Sequence, residues 1–287
     1  MARGRARGRI IISASRRTDL PGWHADRLAE RLREVLARRG PDGIYGVVFW
    51  TRFPAALLTS PLREVLEGDL SNVAVNLTLT GLGGTRLEPR GPDAGDVVTA
   101  LPELIDLIGG PERLRWRFDP LIPTDDLHDR FEDLAGRFAA LGVDTCTFAF
   151  PSARSLRGNL VARYRDLGVP QWPDEPSRRG WVARMAALAT PLGIRLLCCS
   201  QPEVLGYHPA VRQAQCIPGD VLAGGFPPGT PGPTGKDPSQ RRHCACPPSQ
   251  DLGDYRTDAC RTGCLYCYST LGGPDAGETL PWFLRGR

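Results

Sequence analysis

Lysine is almost missing from this 287-residue chain: Lys236 is the only one among 36 basic side chains, and all the others are arginine. Such a skew fits codon bias better than phosphate recognition, so arginine content by itself points to no ligand. Charge of one sign is scarce too. The net charge is +4, and Arg3, Arg5, Arg7 and Arg9 supply that much in what reads as a disordered basic arm over residues 1–9. The remainder is near neutral, without interleaved basic and aromatic stripes, which argues against a long nucleic acid as partner. Long apolar runs are absent as well. The only early one, Ile10–Ile12, is far short of a secretory h-region or a membrane span, so the expectation is a cytoplasmic protein with no membrane partner. No repeat of solenoid or propeller period occurs.

Several catalytic signatures fail on inspection. "GTPGPTGKD" has Thr230 where a phosphate loop needs its first glycine, and Asp237 where it needs a hydroxyl for magnesium. "GLGGTR" has Arg86 in place of the third glycine of a dinucleotide fingerprint. Ser13 and Ser15 lack the context of a nucleophile elbow and have no evident histidine partner. His243 adjoins Cys244 and reads equally as a metal ligand or a surface residue.

What is present is a run of short β-rich stretches, each ending in polar residues: "RIIISASRRTD", "YGVVFWTRFP", "VAVNLTLTG", "LRWRFDPLIP", "CTFAFPSA" and "IRLLCCSQPE". Their apolar content predicts six mostly buried, parallel strands. Helical stretches fall between them, at Trp23–Arg39, Ala55–Leu66, Gly95–Ile108 and Asp125–Leu141. The last shows an apolar stripe of Leu127, Phe131, Leu134, Phe138 and Leu141, with Thr124 as its expected cap and Asp125 and Asp126 at its positive end. Strand alternating with helix gives an α/β chain. Polar clusters at nearly every strand end favour a β/α barrel over an open doubly wound sheet, since barrels build their sites there. The expected organisation is a barrel over residues 10–216, a Gly/Pro-rich flexible connection over 217–243, a cysteine-rich segment over 244–270 and a tail over 271–287.

Nine cysteines in a reducing compartment suggest metal or redox chemistry rather than a disulfide framework. Five of them, Cys244, Cys246, Cys260, Cys264 and Cys267, crowd towards the end of the chain. Cys260, Cys264 and Cys267 form one CxxxCxxC loop. Three thiolates so spaced can bind three irons of a cubane and leave the fourth open, whereas structural zinc prefers four ligands in CxxC pairs. A zinc-stabilised noncatalytic binding module and a cluster-based redox sensor remain the rival readings. Cys199, Cys216, Cys244 and Cys246 are candidate ligands of an auxiliary cluster; the plainer reading makes Cys199 a buried strand residue, with Cys198 facing the site.

"TDACRTGCLYCY" resembles the cluster loop of the radical S-adenosylmethionine superfamily, including the aromatic Tyr266 before the last cysteine. The wider chain resembles a bacterial family known as DUF1848, a domain of unknown function, through "ISASRRTDLP", "VVFWTRFP", "LTLTG", "WRFDP", "KDPSQRRHCAC", "DLGDY" and "CRTGCLYCY". The superfamily normally carries its cluster loop after the first barrel strand, and here the loop comes last. A circular permutation accounts for this: the segment around Asp251–Thr257 supplies the first strand and "IIISAS" becomes the second. The implied fold is a permuted, partial (β/α)6 barrel completed by the cysteine-rich segment, loosely similar to the spore photoproduct lyase branch.

The resemblance implies an enzyme with a [4Fe-4S] cluster on Cys260, Cys264 and Cys267. It would cleave S-adenosylmethionine reductively to a 5′-deoxyadenosyl radical and abstract hydrogen from a small-molecule or peptide substrate, with a flavodoxin or ferredoxin as electron donor. Candidate cofactor-binding groups are Ser15, Arg16, Arg17, Thr18 and Asp19, then Thr51 and Arg52, then Asn76, Thr78 and Thr80, and finally Arg117 and Asp119.

Overall fold

The six apolar runs form strands at Ile10–Ala14 (β1), Ile44–Thr51 (β2), Val73–Thr78 (β3), Leu114–Phe118 (β4), Thr145–Phe148 (β5) and Arg195–Cys198 (β6). The computed structural model describes residues 8–151 and 173–267, so the expected arm up to residue 7 and the tail from 271 lie outside the described residues. Two shorter strands complete the sheet, Val211–Gln213 (β7) and Gln250–Asp251 (β8). All eight run parallel in the order β7-β6-β5-β4-β3-β2-β1-β8. Sequence neighbours are therefore spatial neighbours, the winding of a barrel, except that β8 returns from the far end of the chain to lie beside β1. The sheet stays open, with β7 and β8 at its edges.

Alternation along the strands separates two faces. Ile12, Val47, Phe49, Leu77, Trp116 and Phe148 point into the main core beneath the helices. That core is dense around Trp116, whose ring stacks on Phe138 at 4.7 Å and on Phe131 at 5.4 Å. Both phenylalanines belong to the stripe of helix Leu127–Ala140. The expected cap of that helix is corrected: Asp126 occupies the N-cap, its carboxylate accepting from Arg130 Nε at 3.0 Å rather than from a helix amide, and Thr124 Oγ1 accepts from Arg130 Nη2 at 2.5 Å. The helix expected over Trp23–Arg39 divides at His24 into Leu20–Trp23 (α1) and Ala25–Arg39 (α2). The one expected over Ala55–Leu66 shrinks to Leu62–Gly68 behind Pro61, because proline disfavours helical geometry in the residue before it.

The opposite, concave face is covered by the return segment between β7 and β8, which includes the short helix Gly219–Ala223. Ile11, Tyr45, Val48 and Ala74 meet Cys216, Ile217, Leu222 and Cys246 there. Phe226 stacks on Tyr45 with ring centroids 4.8 Å apart. Two glycines of the Gly/Pro-rich connection allow close approach: a Cβ at Gly232 would stand 2.5 Å from the Tyr45 ring, and one at Gly225 2.6 Å from the Asn72 side chain. Among the described residues no helix is long and apolar enough to cross a membrane.

Candidate metal centre

The loop Cys260–Cys267 follows β8 and arrives at the carboxyl ends of β1, β2 and β3. Its approach is fixed by Asp251 and Asp258. Asp251 accepts from Ser13 Oγ at 2.9 Å, Ser15 Oγ at 2.5 Å and the Arg16 amide at 3.1 Å, which joins β8 to the end of β1. Asp258, with its side chain fully buried, accepts from Arg27 at 2.7 Å and Arg31 at 2.5 Å on α2. Burial alone would push its carboxyl up, but the hydrogen bonds from Arg31 and Arg27 bring it down to about 2.

Within the loop, Trp23 Nε1 donates to Thr262 Oγ1 at 2.9 Å, the Arg90 amide to the Thr262 carbonyl at 3.2 Å and the Leu265 amide to the Leu87 carbonyl at 3.0 Å. Cys264 and Tyr266 are buried against Leu82, Leu87 and Ile122, with Cys267 at the edge of that cluster. The Tyr266 hydroxyl donates to Glu88 Oε1 and accepts from Arg52 Nη2 at 2.6 Å; Arg52 Nη1 reaches Glu88 Oε2 at 2.7 Å, and Thr80 Oγ1 donates to Glu88 Oε1 at 2.5 Å. Burial pushes the Cys264 thiol up, and the nearby Arg52 guanidinium offsets part of the effect. The Cys260 thiol is raised by burial and by the neighbouring charges of Asp19 and Cys267. The three thiols thus lie within one another's field and between two charged strand-end groups.

The other predicted groups divide by whether the chain already uses them. Asp19 caps α1 through the Gly22 amide at 3.0 Å and accepts from Thr51 Oγ1 and the Arg52 amide, both at 2.8 Å. Arg16 binds Asp237 at 3.0 Å and Ser249 at 2.7 Å, and Arg17 donates to the Gly253 carbonyl at 3.1 Å. Ser15, Asp19, Thr51 and Thr80 hold the frame. By contrast, Thr18 Oγ1 and Asn76 Oδ1, and with them Nε1 of Trp50, which was not among the predicted groups, are buried with no hydrogen-bond partner among the described residues. Thr78 closes β3, half-buried.

Arg117 and Asp119 form an ion pair one strand farther along. Burial pushes the Asp119 carboxyl up while Arg117 pulls it down, and Arg52 is close enough to act the same way. Arg117 Nη1 also donates to Cys216 Sγ at 3.0 Å, and Asn76 Nδ2 donates to the Cys216 carbonyl at 2.7 Å. Cys199 and Cys216 are 3.4 Å apart at sulfur, and Cys246 shares side-chain hydrogen bonds with Cys216 and Cys244. Cys198 does not face this site: it is buried in the core beneath the helices, on the other side of the sheet from half-buried Cys199. His243 is exposed and contributes its carbonyl to Gln213.

Residues 11–269 match a family described as a domain of unknown function, DUF1848. The chain belongs to this family. No curated protein matches it. Among solved structures it is similar to Streptococcus suis SuiB, at 13% identity and a TM-score of 0.36 over 71% of this chain and 52% of SuiB. It is also similar to SuiB bound to S-adenosylmethionine, at 12% identity and a TM-score of 0.34 over 71% of this chain and 50% of that one. The DUF1848 chain therefore spans about half the length of these structures.

Glu88, the group that ties Tyr266 to Arg52, escaped the sequence reading of this DUF1848 chain. It lies two residues past the glycine-rich stretch rejected as a dinucleotide loop, and its phenol partner is 178 residues away. Asp258 was legible only as part of "TDAC", with nothing to announce its two arginines on α2.

Proposed function

We propose that this chain is a cytoplasmic radical S-adenosylmethionine enzyme in which Cys260, Cys264 and Cys267 hold a [4Fe-4S] cluster. The observation that carries the reading is the arrival of the CxxxCxxC loop at the strand ends through β8, the strand a permuted barrel needs beside β1. The donor set fits the group. Three thiols share one loop, one is backed by an apolar wall, and each of a cubane's thiolates binds a different iron, so the sulfurs need not enclose one point. When bound, such a cluster supplies an open iron for the amino and carboxylate groups of the cofactor and the single electron that starts reductive cleavage.

The chain's own residues supply binding and order. Thr18 Oγ1, Trp50 Nε1 and Asn76 Oδ1 have no partner among the described residues and are available to a ligand's polar groups, since a buried polar atom without a partner costs about 1–3 kcal/mol. Ser15, Asp19 and Thr51 act indirectly, by fixing the backbone on either side of Thr18 and Arg52, and Thr80 by holding Glu88 against the Arg52 side chain. Arg52 and the Arg117–Asp119 pair place charge on either side of the strand-end opening. A small-molecule or peptide substrate and a small redox protein as electron donor complete the proposal.

Anaerobic reconstitution with iron and sulfide tests it. The expected product is brown, with a reduced-state paramagnetic signal that changes on adding S-adenosylmethionine; this S-adenosylmethionine-responsive signal is absent when Cys260, Cys264 and Cys267 are all changed to alanine. Zinc bound in place of iron by these three cysteines would overturn the proposal.

A further inference from the structure

The four cysteines outside the CxxxCxxC loop and clear of the helix-side core meet over the concave face. They arrive from three separate places: Cys199 just past β6, Cys216 just past β7, and Cys244 with Cys246 in the return segment ahead of β8. Their sulfurs run as a chain from Cys199 to Cys216 at 3.4 Å, then to Cys246 and on to Cys244. A disulfide would bring two sulfurs to about 2.0 Å, so these are neighbouring thiols rather than a closed bridge. The edge of a tetrahedron of sulfurs around one ion, with metal–sulfur bonds of 2.3 Å, is about 3.8 Å, close to the spacing found here.

The surroundings suit negative sulfur. Arg117 Nη1 donates to Cys216 Sγ at 3.0 Å and the Ile217 amide to Cys246 Sγ at 3.4 Å. Donors of this kind stabilise thiolates bound to metal and tune their basicity. Purely aliphatic packing would not need a guanidinium and a peptide N–H aimed at sulfur. Among the described residues no three or more His, Cys, Asp and Glu side chains already make a ready site for one metal ion. The four thiols form an open chain, and they would close on a metal as each gave up its proton.

We propose that Cys199, Cys216, Cys244 and Cys246 are the four thiolate ligands of a second metal centre, either a zinc ion or an iron–sulfur cluster. The proposal is independent of the reading of Cys260, Cys264 and Cys267. It places a metal beside the Arg117–Asp119 pair, across the strand-end opening from Arg52, and makes the return segment a metal-stapled cover of the concave face.

The test uses the full-length chain carrying Cys260→Ala, Cys264→Ala and Cys267→Ala together, in which only the second centre can bind. Zinc, iron and acid-labile sulfide are measured on protein purified and reconstituted without oxygen. The expected result is retained metal, either about one zinc ion without sulfide or iron with sulfide. Adding Cys244→Ser, at a half-buried position, should reduce that metal several-fold while the far-ultraviolet spectrum stays unchanged. In a parallel measurement on the triple variant, the four thiols should resist alkylation until the metal is stripped. A metal-free triple variant with freely alkylated thiols, metal unaffected by both Cys244→Ser and Cys199→Ser, or a Cys199–Cys216 disulfide in freshly isolated protein would each overturn the proposal.

Discussion

At the scale of single residues, Glu88 decides how firmly the cysteine loop is held. Its carboxylate takes hydrogen bonds from Arg52, Tyr266 and Thr80 with a side chain only 2% exposed. Glu88→Gln removes the charge that compensates buried Arg52 and should cost on the order of 3 kcal/mol, read from the urea midpoint. Tyr266→Phe removes only a hydroxyl and should cost about 1 kcal/mol by the same measurement. Equal losses would mean that the Arg52 ion pair does not anchor the loop. The cysteine spacing was legible because metal ligands repeat over a few residues of one loop. Glu88 was not, because its importance comes from partners brought together only by folding.

At the scale of elements, the smallest strand carries the topology. β8 contributes two residues, and its place beside β1 rests on Asp251 and on the grip of Asp258 upon α2. Asp258 titrates near 2 when folded, against about 3.9 for a free aspartate. A lowered carboxyl gives stability that is fully present above pH 4 and lost as pH falls through 2. Acid titration followed by near-ultraviolet circular dichroism should therefore show the loop detaching between pH 4 and 2. Asp258→Asn should abolish that step and cost roughly 2 kcal/mol at neutral pH, less than a fully buried pair because Arg27 is 44% exposed. An unchanged acid step in the variant would assign it to another carboxylate. Six strands were readable from their apolar runs; β7 was too short to show a period, and the strand expected around Asp251–Thr257, because the cysteine loop needed one before it, is only Gln250–Asp251, the rest being turn held by Asp254 and Asp258.

At the scale of the molecule, one sheet separates two chemistries. The helix side is aliphatic and aromatic, and Trp116→Ala at its centre should cost about 4 kcal/mol in chemical denaturation, a large share of the stability of an ordinary domain. A loss below about 1 kcal/mol would mean that the core does not rest on this ring. The concave side collects Asn76, Arg117 and the cysteines Cys199, Cys216, Cys244 and Cys246, while the CxxxCxxC loop packs with the strand-end polar groups. Near-continuous apolar runs made the strands legible and an apolar stripe the helix Leu127–Ala140, whereas the cover of the concave side was hidden in a Gly/Pro-rich stretch without periodicity. The most direct measurement of the central claim is product analysis after anaerobic incubation of reconstituted protein with S-adenosylmethionine and a low-potential reductant. The account predicts 5′-deoxyadenosine and methionine from the intact chain and neither from the variant with Cys260, Cys264 and Cys267 changed to alanine. Iron-loaded protein that leaves S-adenosylmethionine uncleaved, or equal cleavage by the variant, would contradict it.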